Sequence, residues 1–239
     1  MPSTIKINDT LTWASAFILQ RPSFGVVGAN EPGLTCANKI IQSIVAAPFR
    51  WNWNRVEKQN VVTTAQGVAD YTVALADFGY LEKATIFNGQ NDPPMMELEV
   101  FPNLAREGKN NQPQKICAFV DDGQGNITFR VMPAADQPYQ ISLIYQKSVG
   151  LAVDLNAKWS PIPDKYAFLY EIGMLAHLQG MYNAQLYSFN MEMFFRQLVG
   201  AAEGLSESER AIFLEDRLRD LKSQTSAALS AQHDVVDVM

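Results

Sequence analysis

The stretch Pro48–Arg55, PFRWNWNR, holds two of the chain's four tryptophans between two arginines. It stands where the periodicity of the sequence changes. Upstream of it, apolar residues recur at helical spacing; downstream, they alternate. Trp51 and Trp53 fall on one side of an extended segment, and Asn52 and Asn54 on the other. Two large rings on one face supply a core with much apolar area. The stretch therefore reads as a packed joint where a helix pair hands over to a sheet. The alternative is a single-stranded nucleic-acid surface. Trp51 and Trp53 would then stack on bases while Arg50 and Arg55 meet phosphates.

Working back from the joint, Leu34, Ala37, Ile41 and Ile44 make a helical stripe that Pro48 stops. Before it, Asn8 or Asp9 can cap a helix with the face Leu11, Ala14, Phe17 and Ile18. Working forward, Val61–Thr64 and Tyr71–Val73 flank AQGVA and predict a hairpin. Ile127, Phe129 and Val131 alternate with polar neighbours, as do Tyr139, Ile141, Leu143 and Tyr145. One apolar face per strand suits an antiparallel sheet covered on one side. From Ser160 the pattern is helical again. The row Ile162, Tyr166, Leu169, Gly173, Ala176 and Gly180 belongs to a helix that is apolar nearly all round. Tyr187, Met191, Phe194, Leu198 and Ala201 mark the next helix. Ser206 with Glu209 opens a third through a capping box, and Glu215 can pair with Arg219 across one of its turns.

The fold class expected is α+β: a helical bundle built from N-terminal and C-terminal helices, with an inserted antiparallel β domain. The expected boundaries are 1–49 and 160–222 for the bundle, 50–159 for the β insertion, and 223–239 for an extended C-terminal tail.

The chain of 239 residues is 47% hydrophobic, enough for a substantial core, and its net charge of −6 gives no global attraction to phosphates. Cys36 and Cys117 stand far apart and read as buried thiols of a protein made in a reducing cytoplasm. No apolar run approaches the roughly 20 residues that span a bilayer, so no membrane contact is expected. His177 and Glu171 sit six positions apart and do not share a helix face; His177 reads as a packed histidine. The turn DDGQGN lacks the repeated acidic positions of a calcium loop and reads as a hairpin turn. Met181, Met191 and Met193 read as core filler. No GxSxG, P-loop or metal-ligand spacing occurs, and no cofactor, metal or catalytic residue is expected.

Three further stretches carry a resemblance. They are TTAQGVADYTVALADFGYLEKATIF (63–87), GNITFRVMPAADQPYQISLIYQK (125–147) and SPIPDKYAFLYEIGMLAHLQGMYN (160–183). The first is a glycine turn, an aromatic-Thr-apolar strand and an Asp-Phe step into a second strand. The second is a strand pair joined through a proline turn, and the third a helix opened by Ile-Pro-Asp. In that order, with PFRWNWNR ahead of them, they resemble the head-to-tail adaptor proteins of tailed bacteriophages.

The resemblance implies a structural virion protein at the head–tail junction, made in the host cytoplasm. It implies a ring of identical subunits, commonly a dodecamer, beneath the portal protein. It also implies tail or tail-nozzle proteins as partners and the passage of double-stranded DNA through the ring. The protein would not be an enzyme; a wall hydrolase is the enzymatic alternative. Val235, Val236, Val238 and Met239 in the tail are the candidate partner-binding residues, because apolar side chains on a polar tail can order on a partner.

Overall fold

The structure is a computed structural model. It describes residues 2–18, 32–87, 96–106, 108–180 and 184–236. The chain divides into two compact units, Met1–Trp53 with Gly150–Met239, and Asn54–Val149.

The first unit is helical: α1 (Ile7–Ala16), α2 (Gly33–Val45), a 3-10 turn (Asp164–Tyr166), α3 (Ala167–Gln179), α4 (Ala184–Ala201) and α5 (Glu207–Val236). Helix α3 packs against α1, α2 and α4, whereas α5 packs against α4. A helix that is apolar nearly all round can bury several faces at once, and α3 accordingly becomes the hub, with Phe168 left exposed. Gly173 permits the crowding: a Cβ there would lie 3.0 Å from Ile40 of α2 and 3.2 Å from Phe194 of α4.

Helix ends follow local chemistry. Lys6 is the N-cap of α1, and its backbone N–H donates to the Asp9 carboxylate. At α5 the Ser206 N–H donates to Glu209 Oε2 at 2.8 Å and the Glu209 N–H donates to Ser206 Oγ at 3.3 Å. This is the capping box expected from the sequence. Arg219 pairs with Asp216 at 2.7 Å, where Glu215 was the expected partner. Helix α5 also continues through 223–236, where an extended tail was expected. The alanines at 227, 228 and 231 favour helix intrinsically, although the apolar period fades there. Phe17, expected on the buried face of α1, is 58% exposed.

The second unit is one seven-stranded sheet. Its strands are β1 (Arg55–Thr63), β2 (Asp70–Ala74), β3 (Phe78–Phe87), β4 (Met96–Val100), β5 (Lys115–Asp121), β6 (Asn126–Met132) and β7 (Gln140–Lys147). The order is β1-β7-β3-β4-β5-β6-β2. The outermost strands, β1 and β2, come back into contact, so the sheet curls nearly closed like a barrel. The inward residues of β6 and β7 (Ile127, Phe129, Val131, Ile141, Leu143 and Tyr145) fill its core. Tyr145 also donates its hydroxyl to Asp77 at 2.7 Å.

The expected fold class is corrected by this architecture. The terminal helices do not close one bundle around a shared core; they fan around α3. The β part is no antiparallel insertion: it is a seven-stranded, nearly closed sheet in which β4 pairs parallel with β5. Two strand pairings also differ. Strand β1 pairs with β7, and β2 with β6, so AQGVA does not close a hairpin. Strands β6 and β7 are not neighbours either. Alternation records which face of a strand is buried, not which strand lies beside it.

The parallel β4–β5 pair requires a long connection. Residues 101–114 supply it, and a charge clamp holds them. Arg130 Nε donates to Asp70 Oδ1 at 2.6 Å, Arg106 donates to Asp70 Oδ2 at 2.5 Å, and Arg130 Nη1 donates to the Leu104 carbonyl at 3.1 Å. The Arg130 guanidinium also lies 3.5 Å from the Phe119 ring centroid. Hydrogen bonding to Arg130 holds the Asp70 carboxyl at about 2, below its ordinary 3.8. A carboxylate with a lowered folded pKa stabilises the fold above its unfolded pKa, and that stability is lost as pH falls through the folded value. Acidification from about pH 4 to 2 should therefore cost this unit on the order of 1 kcal/mol after solvent screening. Asp70→Asn should flatten that part of the pH–stability profile in urea melts; an unchanged profile would count against the clamp.

Candidate functional site

PFRWNWNR is built into the structure rather than presented on it. Trp51 is 1% exposed, and its indole N–H donates to the Ile44 carbonyl at 2.6 Å. Ile44 lies in the last turn of α2, where carbonyls lack helical partners. The Trp51 ring lies 5.0 Å from Tyr166, 5.9 Å from Trp53 and 6.2 Å from Phe49, centroid to centroid. Arg50 donates to the Gly204 carbonyl at 3.1 Å and to Glu209 at 3.1 Å. Asn52 donates to Glu203 at 2.5 Å. Arg55, the first residue of β1, is paired with Glu82. A buried ring offers no face to a base, and an arginine already on a carboxylate must exchange that partner to meet a phosphate. Trp51 is thereby closed to a base, whereas Trp53 is half-buried and lines the groove described next.

Recesses occur among the described residues of the helical unit. Asn52, Trp53, Pro163, Asp164, Lys165 and Tyr166 line a groove of about 580 Å³. Its Asp164 carboxylate is already engaged, accepting from Ser3 Oγ at 2.5 Å and Thr4 Oγ1 at 2.7 Å. Those bonds lower its pKa from 3.8 to about 2.

The second recess, about 290 Å³, is lined by Thr35, Cys36, Lys39, His177, Gly180 and Tyr187 among others. His177 packs 6.2 Å from the Tyr187 ring. Burial, and secondarily the Lys39 charge, lower its pKa from 6.5 to about 4. The folded state thus holds His177 neutral while the unfolded chain takes up a proton below about 6.5. Stability should fall as pH drops from about 6.5 to 4 and level off below that. Proton NMR of the imidazole should place its midpoint near 4, and an ordinary midpoint would remove this effect.

The second recess is lined by both the Cys36 thiol and the neutral His177 imidazole. No group of three or more His, Cys, Asp or Glu residues able to hold a metal occurs among the described residues. In DDGQGN the carboxylates serve the turn itself. Asp122 accepts from the Gln124 N–H at 2.7 Å and the Asn126 N–H at 3.0 Å, and Gly125 takes φ +90°. Cys36 and Cys117 are both buried. Among the described residues no helix is long and apolar enough to cross a membrane.

The tail residues Val235 and Val236 fall in the last turn of the α5 backbone; Val238 and Met239 lie outside the described residues. Met181 also lies outside them, Met191 is buried, and Met193 is exposed rather than core filler. That exposed methionine belongs to a surface feature the sequence reading missed. Phe189 and Met193 on α4, and Trp13 and Phe17 on α1, are large apolar side chains exposed in helical rows.

The chain belongs to the SU10 adaptor protein family, whose model matches residues 12–232, nearly the whole chain. It is thus a phage adaptor and a virion component, which bears out the resemblance at the level of the family. No curated protein matches it.

Proposed function

We propose that this adaptor works at the head–tail junction, as a ring of identical subunits bound beneath the portal protein. The ring extends the DNA channel and offers its far face to tail or tail-nozzle proteins. In this reading the chain catalyses nothing. The family match across both units is the observation that carries it. Two features fit. A ring contact is heterologous and needs two different patches on one subunit, and the chain exposes apolar rows on two different helices. A net charge of −6 suits a channel through which DNA must slide without sticking.

The test is to mix the purified protein with the portal of the same phage and image the product by electron microscopy. A ring stacked on one end of the portal is expected. A protein that neither binds portal nor forms rings would overturn the reading. Removing 223–239 is expected to weaken that assembly while leaving the melting profile of the remaining chain in place. Full assembly by the shortened chain would release the tail from any docking role.

A further inference from the structure

We infer that the outer row of α4 is the socket of the subunit–subunit contact, and that it receives the Trp13–Phe17 pair of α1 from the next copy of this chain. The inference rests on the ring reading above and names the surfaces that would close the ring.

Helix α4 turns Asn190, Met191, Phe194 and Leu198 inward. Its opposite side carries Leu186, Phe189 and Met193 at spacings of three and four, all exposed, with Phe189 at 63%. Further along the same side lies Gly200, around which a Cβ would meet nothing within 4 Å. Glycine weakens a helix, and among the described residues none packs against Gly200; a neighbour's backbone could approach closely at that end. The row follows the three-four spacing that admits another helix between its side chains.

Trp13 on α1 and Phe17 at its C-cap stand one turn apart with ring centroids 4.9 Å apart, forming a single aromatic knob. Phe and Met in the socket match it chemically, since thioether sulfur and aromatic edges attract aromatic rings. Other exposed apolar residues of this unit (Leu151, Val153, Phe168 and Ile212) do not share a helical row with one another.

Knob and socket cannot satisfy each other within one chain. Helices α1 and α4 both pack on α3 and make no substantial contact with each other. Two unlike faces, each exposed on the same unit, are what a head-to-tail contact requires. The size also fits. Scaled by exposure, the five side chains offer on the order of 500 Å² of apolar surface, against roughly 1,200–2,000 Å² for a complete stable interface. That makes the apolar core of a contact rather than the whole of it. It is too small to hold two free copies firmly, yet sufficient once a template raises their effective concentration.

The test compares wild-type protein with Trp13→Glu and Phe189→Glu, each mixed with portal and counted as rings by negative stain. Circular dichroism melts should match the wild type, because both positions are at the surface. Each variant should lower the yield of rings by roughly tenfold or more, as expected for a central interface anchor. A Trp13→Cys/Phe189→Cys chain, oxidised after assembly, should run as a covalent ladder on a non-reducing gel. The native cysteines are both buried and do not compete. Normal ring yield from both glutamate variants, or intact rings without a ladder, would overturn this contact and leave the adaptor reading standing. Wild-type protein that forms no ring would overturn both.

Discussion

Trp51→Ala is expected to cost the helical unit about 4 kcal/mol, in the range found when a large buried aromatic is truncated. Three effects combine. The side chain is 1% exposed, so its whole apolar area returns to water or leaves a cavity. Its ring contacts with Phe49, Trp53 and Tyr166 disappear. The Ile44 carbonyl at the end of α2 loses its indole donor and has no helical replacement. At roughly 2–4 °C per kcal/mol for chains of this size, the helical transition should move down by about 10 °C. The same residue tests the nucleic-acid alternative. Titrating wild-type protein with single-stranded DNA should leave tryptophan fluorescence unchanged. Salt-sensitive quenching that disappears in the variant, together with a melting shift under about 1 kcal/mol, would return PFRWNWNR to the nucleic-acid reading.

Legibility in the sequence follows from what each signal physically encodes. Alternation marked Ile127, Phe129 and Val131 as one inward face and Ile141, Leu143 and Tyr145 as another, and all six are buried. It carried no information on neighbours, because burial of a strand face is indifferent to which strand lies beside it. The parallel β4–β5 pair, the curl of the sheet and the pairing of β1 and β2 with β7 and β6 rather than with each other were therefore invisible. The nearly all-round apolar pattern of α3 was legible in the sequence. The partners that cover it, α1, α2 and α4, depended on where the chain returned. Periodicity misjudged 223–236 because it weighs packing and not intrinsic propensity, which suffices for the backbone of α5 there.

The surface rows were hardest to read. Phe17 and Met193 look like core residues by type, and only the placement of α1 and α4 on α3 shows them facing outward. The phage-adaptor family was legible through the order of three motifs, each of little weight alone.

Trp159→Ala should be as damaging as Trp51→Ala, at about 4 kcal/mol, and should reach further. Trp159 is fully buried and stacks flat on Tyr170 of α3, at 4.5 Å and 6° between planes. Its indole N–H donates to the hydroxyl of the buried Thr10 on α1 at 2.9 Å. Around it, residues 155–159 pair with the start of α1. The Ile7 N–H donates to the Ala157 carbonyl and the Asn8 N–H to the Leu155 carbonyl, both at 2.9 Å, and the Trp159 N–H donates to the Ile5 carbonyl at 3.1 Å. One side chain therefore fastens α1 to α3, and the first amides of α1 depend on the segment that carries it. Trp159→Phe separates the contributions. It keeps a ring against Tyr170 but leaves the Thr10 hydroxyl buried without its donor, so about 1–3 kcal/mol should be lost. Hydrogen exchange should show the α1 amides losing protection in the alanine variant while the sheet unit keeps its own. Because α1 carries Trp13 and Phe17, ring yield on the portal should fall with that protection, although Trp159 itself is too deeply buried to touch a neighbour. Full protection of α1 in Trp159→Ala would mean that the remaining contacts, including those of Asp164 with Ser3 and Thr4, hold the helix without it.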